Sequence, residues 1–192
     1  MVLNVPNILT SLRIVAIPLF VVVFYLPESW VTARQASIIA TVIFVAAAIT
    51  DWFDGWLARK WNQMSAFGAF LDPVADKLMV AAALIVLVEQ GRADAIVALI
   101  IIGREITISA LREWMAQIGE AKSVAVAFVG KMKTVAQLVA IPFLLYNDFL
   151  FGIIDCRIAG RFFIWVAAIL TLWSMVYYLR AAWPLLRGGK AD

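Results

Sequence analysis

Six runs of apolar residues divide this chain, at 8–25, 37–57, 73–88, 95–115, 124–146 and 158–179. A helix rises 1.5 Å per residue, so about 20 residues cross the ~30 Å hydrocarbon layer of a bilayer, and each run is close to that length. The breaks between them are polar or rich in Pro and Gly: Pro27-Glu28-Ser29, Glu89-Gln90-Gly91-Arg92, the stretch 119–123, and the stretch 147–157. Hydrophobic residues make up 65% of the chain and charged residues 15%. A soluble domain is nearer half apolar. The excess has no soluble core to fill, so lipid is the expected solvent and bilayer lipid the expected surrounding. The expected fold is an all-α integral membrane protein: a six-transmembrane-helix bundle with a short N-terminal interfacial segment, folded as one domain over residues 1–192.

The basic residues orient such a bundle. With the N-terminus inside, Arg59, Lys60, Lys77, Arg112, Lys122, Lys131, Lys133, Arg180, Arg187 and Lys190 fall towards the cytoplasm, against Arg34, Arg92, Arg157 and Arg161 on the other side. The positive-inside rule therefore predicts both termini cytoplasmic. Met1 to Asn4 carries no positive charge, and no small-residue cleavage site follows the first run, so that run is expected to remain in the chain. The net charge of +3, with no basic patch interleaved with aromatics, does not suggest nucleic acid. The single Cys156 excludes an internal disulfide. There is no histidine, so the usual metal ligand and the usual general base are both missing. Any chemistry must run on carboxylates, Lys, Arg and hydroxyls.

The stretch DWFDGWLARKWNQMSAFGAFLDPVAD, residues 51–76, concentrates such groups. Asp51 and Asp54 are three apart and share a helix face at the end of the second run. Asp72 and Asp76 are four apart and share a face at the start of the third. A short connection makes the two helices antiparallel, so the faces can meet at the cytoplasmic edge. Each ionised Asp at mid-bilayer costs about 2.5–3.5 kcal/mol even on an insertion scale, so the group must gain protons or bind cations. All-oxygen donors favour hard ions such as Mg²⁺ or Mn²⁺, and four carboxylates balance two divalent cations. Paired metals clamp the attacking and leaving oxygens of a phosphoryl displacement. Gly55 lets a phosphate or nucleotide approach the backbone beside Asp54, and Arg59, one turn on, is placed to hold a phosphate. Intramembrane acids also serve as structural ion pairs or as an ion path in a cation transporter. Gly55 and Arg59 have no role in such a path, and Arg59 would repel the ion.

The same stretch matches D-x2-D-G-x2-A-R-x8-G-x3-D-x3-D at Asp51, Asp54, Gly55, Ala58, Arg59, Gly68, Asp72 and Asp76. It resembles the signature of the CDP-alcohol phosphotransferases, and the six-run layout resembles that family over essentially the whole chain. The resemblance implies transfer of a phosphatidyl group from CDP-diacylglycerol to an alcohol with release of CMP. It implies that Asp51, Asp54, Asp72 and Asp76 hold two divalent cations, that Asp76 is the general base, and that Asp54, Gly55 and Arg59 seat the nucleotide and diphosphate.

For the acceptor, Arg104 and Arg112 are eight apart and lie roughly on one helix face, with Glu105 and Glu113 adjoining, while Lys131 and Lys133 open the fifth run. A cluster of this kind suits an acceptor that carries a phosphate. It also suits a positive-inside anchor at the headgroups, although Arg104 lies too deep for one. The strings REITISALREW, VAVAFVGKMKTVAQ and NVPNILTSLRIVAIP are similar to bacterial family members whose acceptor is glycerol-3-phosphate. That similarity implies glycerol-3-phosphate binding by Arg104, Arg112, Lys131 and Lys133, with Lys131 open to the donor pyrophosphate instead. It further implies that Asn7, Thr10 and Arg13 border the nucleotide, Arg13 being equally readable as a snorkelling interfacial residue. Inositol phosphate or a second phosphatidylglycerol stay open as acceptors. The implied location is the bacterial inner membrane with the site facing the cytoplasm. A homodimer is the expected assembly, two-fold closure being the commonest way for identical chains to associate.

Overall fold

The computed structural model describes residues 5–61, 66–119 and 128–186, and within these the side chains of 5–8, 52, 54–61, 66, 67, 69, 128, 129, 131 and 184–186 lie outside the described set. The apolar runs become α-helices. These are α1 (Val5–Val22), extended by a 3₁₀ turn at Val23–Tyr25, then α2 (Ala33–Trp61), α3 (Ala66–Glu89), α4 (Ala95–Gln117), α5 (Phe128–Tyr146) and α6 (Cys156–Leu186). A two-residue hairpin, Phe149–Leu150 against Ile154–Asp155, joins α5 to α6.

Local signals set several ends. Asp94 caps α4 by accepting from the Ile96 backbone N–H at 2.7 Å. Beyond α3, Gly91 takes a left-handed conformation (φ +65°), and the Arg92 and Ala93 amides return to the Leu87 carbonyl. The Arg92 side chain then reaches the C-terminal carbonyls of α5, donating to Leu145 O at 2.7 Å, and also donates to Ser37 Oγ at 2.9 Å. One guanidinium so ties three helix ends together while satisfying carbonyls that the helix leaves unpaired.

The second and third helices overrun the boundaries expected for them. The second run was expected to end at residue 57 and the third to begin at Pro73, but α2 continues to Trp61 and α3 starts at Ala66. Pro73 is thus internal to α3. A proline inside a helix loses its own N–H bond and crowds the carbonyl four residues earlier, which strains a helix without having to end it, and the preceding AFGAFLD holds no breaker beyond Gly68. Likewise α6 begins at Cys156 and runs to Leu186, beyond the expected 158–179.

Helix α1 packs against both α2 and α3, α2 against α5, α3 and α5 against α4 and α6 respectively, and α4 against α6. The main core joins Phe20, Phe44, Leu84, Leu87, Ile101, Ile141 and Leu144 with many alanines, among them Ala40, Ala83, Ala140 and Ala168. Small residues let helix backbones approach closely, which is how helices associate when lipid offers no hydrophobic contrast. A second cluster of Ile108, Met115, Tyr178 and Ala182 joins α4 to α6. The outer surface is also apolar: Leu99 is 71% and Ile106 64% exposed, with Leu19, Ile85, Phe162, Ile169 and Trp173 also outward. An apolar surface of this extent calls for an apolar solvent. By length and hydropathy, two described helical segments can cross a bilayer, Ala33–Asp51 and Cys156–Trp183, and Leu9–Tyr25 and Met132–Tyr146 are shorter apolar segments. Helices α3 and α4 carry more charges, Asp72, Asp76 and Lys77 on one and Arg104, Glu105, Arg112 and Glu113 on the other, which lowers their hydropathy.

Candidate active site

Three helices build the acidic wall. Asp51 and Asp54 lie in the last turns of α2, Asp72 and Asp76 in the first half of α3, and Thr10 and Arg13 in α1. Thr10 and Arg13 are three apart, so they present one face of α1. Because α1 packs on both α2 and α3, that face reaches both acidic pairs. Arg13 Nη1 donates to Asp51 Oδ1 at 2.5 Å, and Thr10 Oγ1 donates to Asp72 Oδ1 in a short hydrogen bond. Arg13 is only 4% exposed, so it is a buried partner of a carboxylate and not a snorkelling interfacial residue. Helix α1 thus contributes more to this wall than the sequence implied, which set its residues only beside the nucleotide. Among the described residues no three carboxylates converge as a ready metal-ligand group. The Asp54 side chain, the fourth of the set, lies outside the described set, as do those of Asn7, Arg59 and Lys131 and the surroundings of Gly55.

Facing the acids is a cavity of about 140 Å³. Asp51, Asp76 and Lys77 line one side, Glu105, Lys133, Thr134 and Gln137 the other, and Ala48, Val80, Leu138 and Ile141 supply apolar walls. A smaller hollow shares Asp51 and Asp76 and adds Arg13. The volume suits a small polar molecule, pockets for drug-sized ligands being about 300–1,000 Å³. Asp76 is exposed to this space, where the charges of Asp51, Arg13, Lys133 and Lys77 act on it.

The basic wall is a connected network. Lys133 is 3% exposed, and its ammonium makes a close ion pair with Glu105 Oε1. Glu105 Oε2 in turn lies 3.5 Å from Arg104 Nη1. Arg104 Nη2 donates to Ser174 Oγ at 3.1 Å, and that hydroxyl donates to the Thr171 carbonyl at 2.9 Å. The eight-residue spacing does place Arg104 and Arg112 on one face of α4, and Tyr178 of α6 sits against it. The Arg104 and Arg112 guanidinium carbons lie 5.6 and 5.2 Å from the centre of its ring. Arg112 Nη2 also donates to the Tyr178 hydroxyl at 3.1 Å. An aromatic face attracts both cations, which eases keeping two like charges close together.

Of the residues singled out from the sequence, Asp51, Asp76 and Lys133 meet at one cavity. Asp72 joins the same wall through Thr10. Arg104 and Arg112 are set behind the cavity, Arg104 linked to it through Glu105 and Arg112 joined to Arg104 through Tyr178. Sequence reasoning noted Glu105 only as a neighbour of Arg104 and missed Tyr178, Ser174 and Gln137. Gln137 was within reach of a spacing argument, since it lies four residues after Lys133 and so on the same face of α5. Tyr178 carried no such local signal, lying 66 residues from Arg112.

Comparison with known proteins follows the same line. A family model described as CDP-alcohol phosphatidyltransferase matches residues 3–173. The chain is 51% identical over 181 residues to the CDP-diacylglycerol--glycerol-3-phosphate 3-phosphatidyltransferase of Salmonella typhimurium, covering 93% of this chain and 94% of the relative. It is 50% identical over 181 residues, with the same coverage, to the protein of that name from Escherichia coli K12.

Proposed function

The chain belongs to the CDP-alcohol phosphatidyltransferase family, and from that premise we propose that it moves the phosphatidyl group of CDP-diacylglycerol onto sn-glycerol-3-phosphate in phospholipid biosynthesis. The products are phosphatidylglycerophosphate and CMP. The terminal hydroxyl oxygen of glycerol-3-phosphate bonds to the phosphatidyl phosphorus, the bond from that phosphorus to CMP breaks, and the hydroxyl proton leaves. The observation that carries this reading is a small cavity with Asp51 and Asp76 on one side and Lys133 on the other. Such a space offers a proton acceptor and an anion seat to one small molecule.

On this reading Asp76 takes the proton from the attacking hydroxyl at a carboxylate oxygen. Lys133 at the cavity, with Lys131, Arg104 and Arg112, provides the positive charge that holds the acceptor phosphate, the two arginines acting from behind Lys133. Glu105 orients Lys133 through their ion pair and joins it to Arg104. Asp54, Gly55 and Arg59, with Asn7 and Thr10, seat CDP-diacylglycerol. Asp51, Asp54, Asp72 and Asp76 would hold two divalent cations, Mg²⁺ or Mn²⁺. The donor set fits such ions: it is all carboxylate oxygen, and the chain has no histidine. When bound, the cations would neutralise the diphosphate and the departing CMP. Arg13 and Thr10 each bond one carboxylate oxygen, of Asp51 and Asp72 respectively.

The apolar outer surface supports a membrane setting. We take α1 to α6 as six spans with both termini and the site on the cytoplasmic side of a bacterial inner membrane, the chain acting as a homodimer. Detergent-purified protein tests the reaction. CMP release from CDP-diacylglycerol with Mg²⁺ is expected with glycerol-3-phosphate and not with inositol phosphate, serine or phosphatidylglycerol. Release should stop on chelation and return with Mg²⁺. Asp76→Asn should abolish turnover while largely preserving CDP-diacylglycerol binding. Stimulation by a different alcohol would refute the acceptor assignment, and a fully active Asp76→Asn would refute the base.

A further inference from the structure

Gln137 does not fit its surroundings as a core residue. It lies on α5 among Ala136, Ala140, Ile141 and Leu144, all buried and apolar, and is itself only 5% exposed. Its Nε2 is buried with no hydrogen-bond partner among the described residues. A buried amide without a partner is destabilising, and such groups in proteins are nearly always satisfied. Yet Gln137 lines the cavity of the candidate active site, together with Asp76 and Lys133. The side chain that carries this donor therefore borders a space that a ligand could occupy.

The spacing says which part of the ligand. Gln137 follows Lys133 by four residues, so it lies one turn further along the same face of α5, about 6 Å on. Asp76 lines the cavity from α3. Cations, carboxylates, the Thr134 hydroxyl, which already donates to the Gly130 carbonyl, and the neutral Gln137 amide thus share one small space. An acceptor of glycerol-3-phosphate type carries three matching groups along a three-carbon chain. They are a dianionic phosphate, a central hydroxyl and a terminal hydroxyl that must lose its proton. With the phosphate at Lys133 and the reacting hydroxyl at Asp76, the central hydroxyl remains for the amide.

We propose that Gln137 is a specificity-determining residue, its side-chain amide donating a hydrogen bond to the central hydroxyl of the acceptor. This rests on the proposed function and deepens it. Under this assignment the enzyme selects a vicinal diol phosphate over a phosphate with a single hydroxyl, because the latter leaves the buried amide unpaired.

The test is a comparison of two acceptors with two enzymes. sn-Glycerol-3-phosphate is set against 3-hydroxypropyl phosphate, which keeps the phosphate and the terminal hydroxyl but lacks the central one. In the wild type, kcat/KM should be roughly 3–10-fold lower with the second acceptor, the worth of one neutral hydrogen bond. In Gln137→Leu, kcat/KM for glycerol-3-phosphate should fall by a similar factor and the two acceptors should become equal, with the KM for CDP-diacylglycerol unchanged. If Gln137→Leu fails to fold, Gln137→Met removes the donor with a flexible chain of similar length, and the same ratio is read. An active variant that still prefers glycerol-3-phosphate by the wild-type factor overturns the assignment of Gln137 alone. A wild type that releases no CMP with either acceptor overturns the proposed function, and this inference with it.

Discussion

A methyl group added at Gly160 provides a stringent test of the helix packing. Gly160 lies in the second turn of α6, and a Cβ there would stand 2.8 and 2.9 Å from Cγ and Cδ2 of Leu144 and 3.1 Å from the Leu144 backbone nitrogen. Carbon atoms pack best at about 3.5–4.0 Å, so the overlap approaches 1 Å. Leu144 is buried in the main core, and its backbone nitrogen cannot rotate away. Overpacking of this kind costs about 1–3 kcal/mol. Against it stands the intrinsic preference of a helix for Ala over Gly, about 1 kcal/mol. The two terms differ in sign, so the outcome is diagnostic. Gly160→Ala should lose up to about 2 kcal/mol of stability, the difference of the two terms, measured by denaturant titration in mild detergent, and should lower the temperature at which CMP release fails. In the Leu144→Ala background two of the three clashing atoms are gone, so the same Gly160→Ala change should cost less. The coupling in the double-mutant cycle should be about 1–2 kcal/mol in favour of the pair, within the range for residues in contact. A Gly160→Ala protein that gains about 1 kcal/mol, with no coupling to Leu144, would show propensity acting alone and refute the close approach of α5 and α6.

Two further outcomes follow from the polar contacts. Tyr178→Phe removes the acceptor for Arg112 but keeps the ring, whereas Tyr178→Leu removes the ring from both arginines as well. The KM for glycerol-3-phosphate should rise only a few-fold in the first and by a further ~5–30-fold in the second, the added step reflecting two cation–π contacts of about 0.5–1 kcal/mol each. Equal KM values in the two variants would remove Tyr178 as the support for Arg104 and Arg112. Arg92→Met should lower stability by about 1.5–3 kcal/mol, the range for hydrogen bonds to a charged group, while leaving both KM values at the wild-type level. A substrate-specific KM change would contradict its role as a clasp between α2, α3 and α5.

The helices and the make-up of each helix face are legible in the order of residues alone. Long apolar runs can satisfy their backbone polar groups internally only as helices, and a spacing of three or four residues puts side chains on one face wherever the helix is later packed. That is why spacing alone pairs Asp51 with Asp54, Asp72 with Asp76, and Arg104 with Arg112, and why the family signature stands out. Helix ends are less legible, because Pro73 strains a helix and is not by itself a stop. Which face meets which is decided only in three dimensions. The insertion of α1 against α2 and α3 brings Thr10 to Asp72 and Arg13 to Asp51, across 62 and 38 residues. The docking of α6 on α4 brings Tyr178 to two arginines, and the packing of α5 sets Gln137 at the cavity with its Nε2 unpartnered among the described residues. These contacts depend on the close fit of small residues such as Gly160 between helices that meet across the bundle. No periodicity within a single helix encodes its partner, and so the acidic and basic walls are readable residue by residue while their assembly is settled by packing.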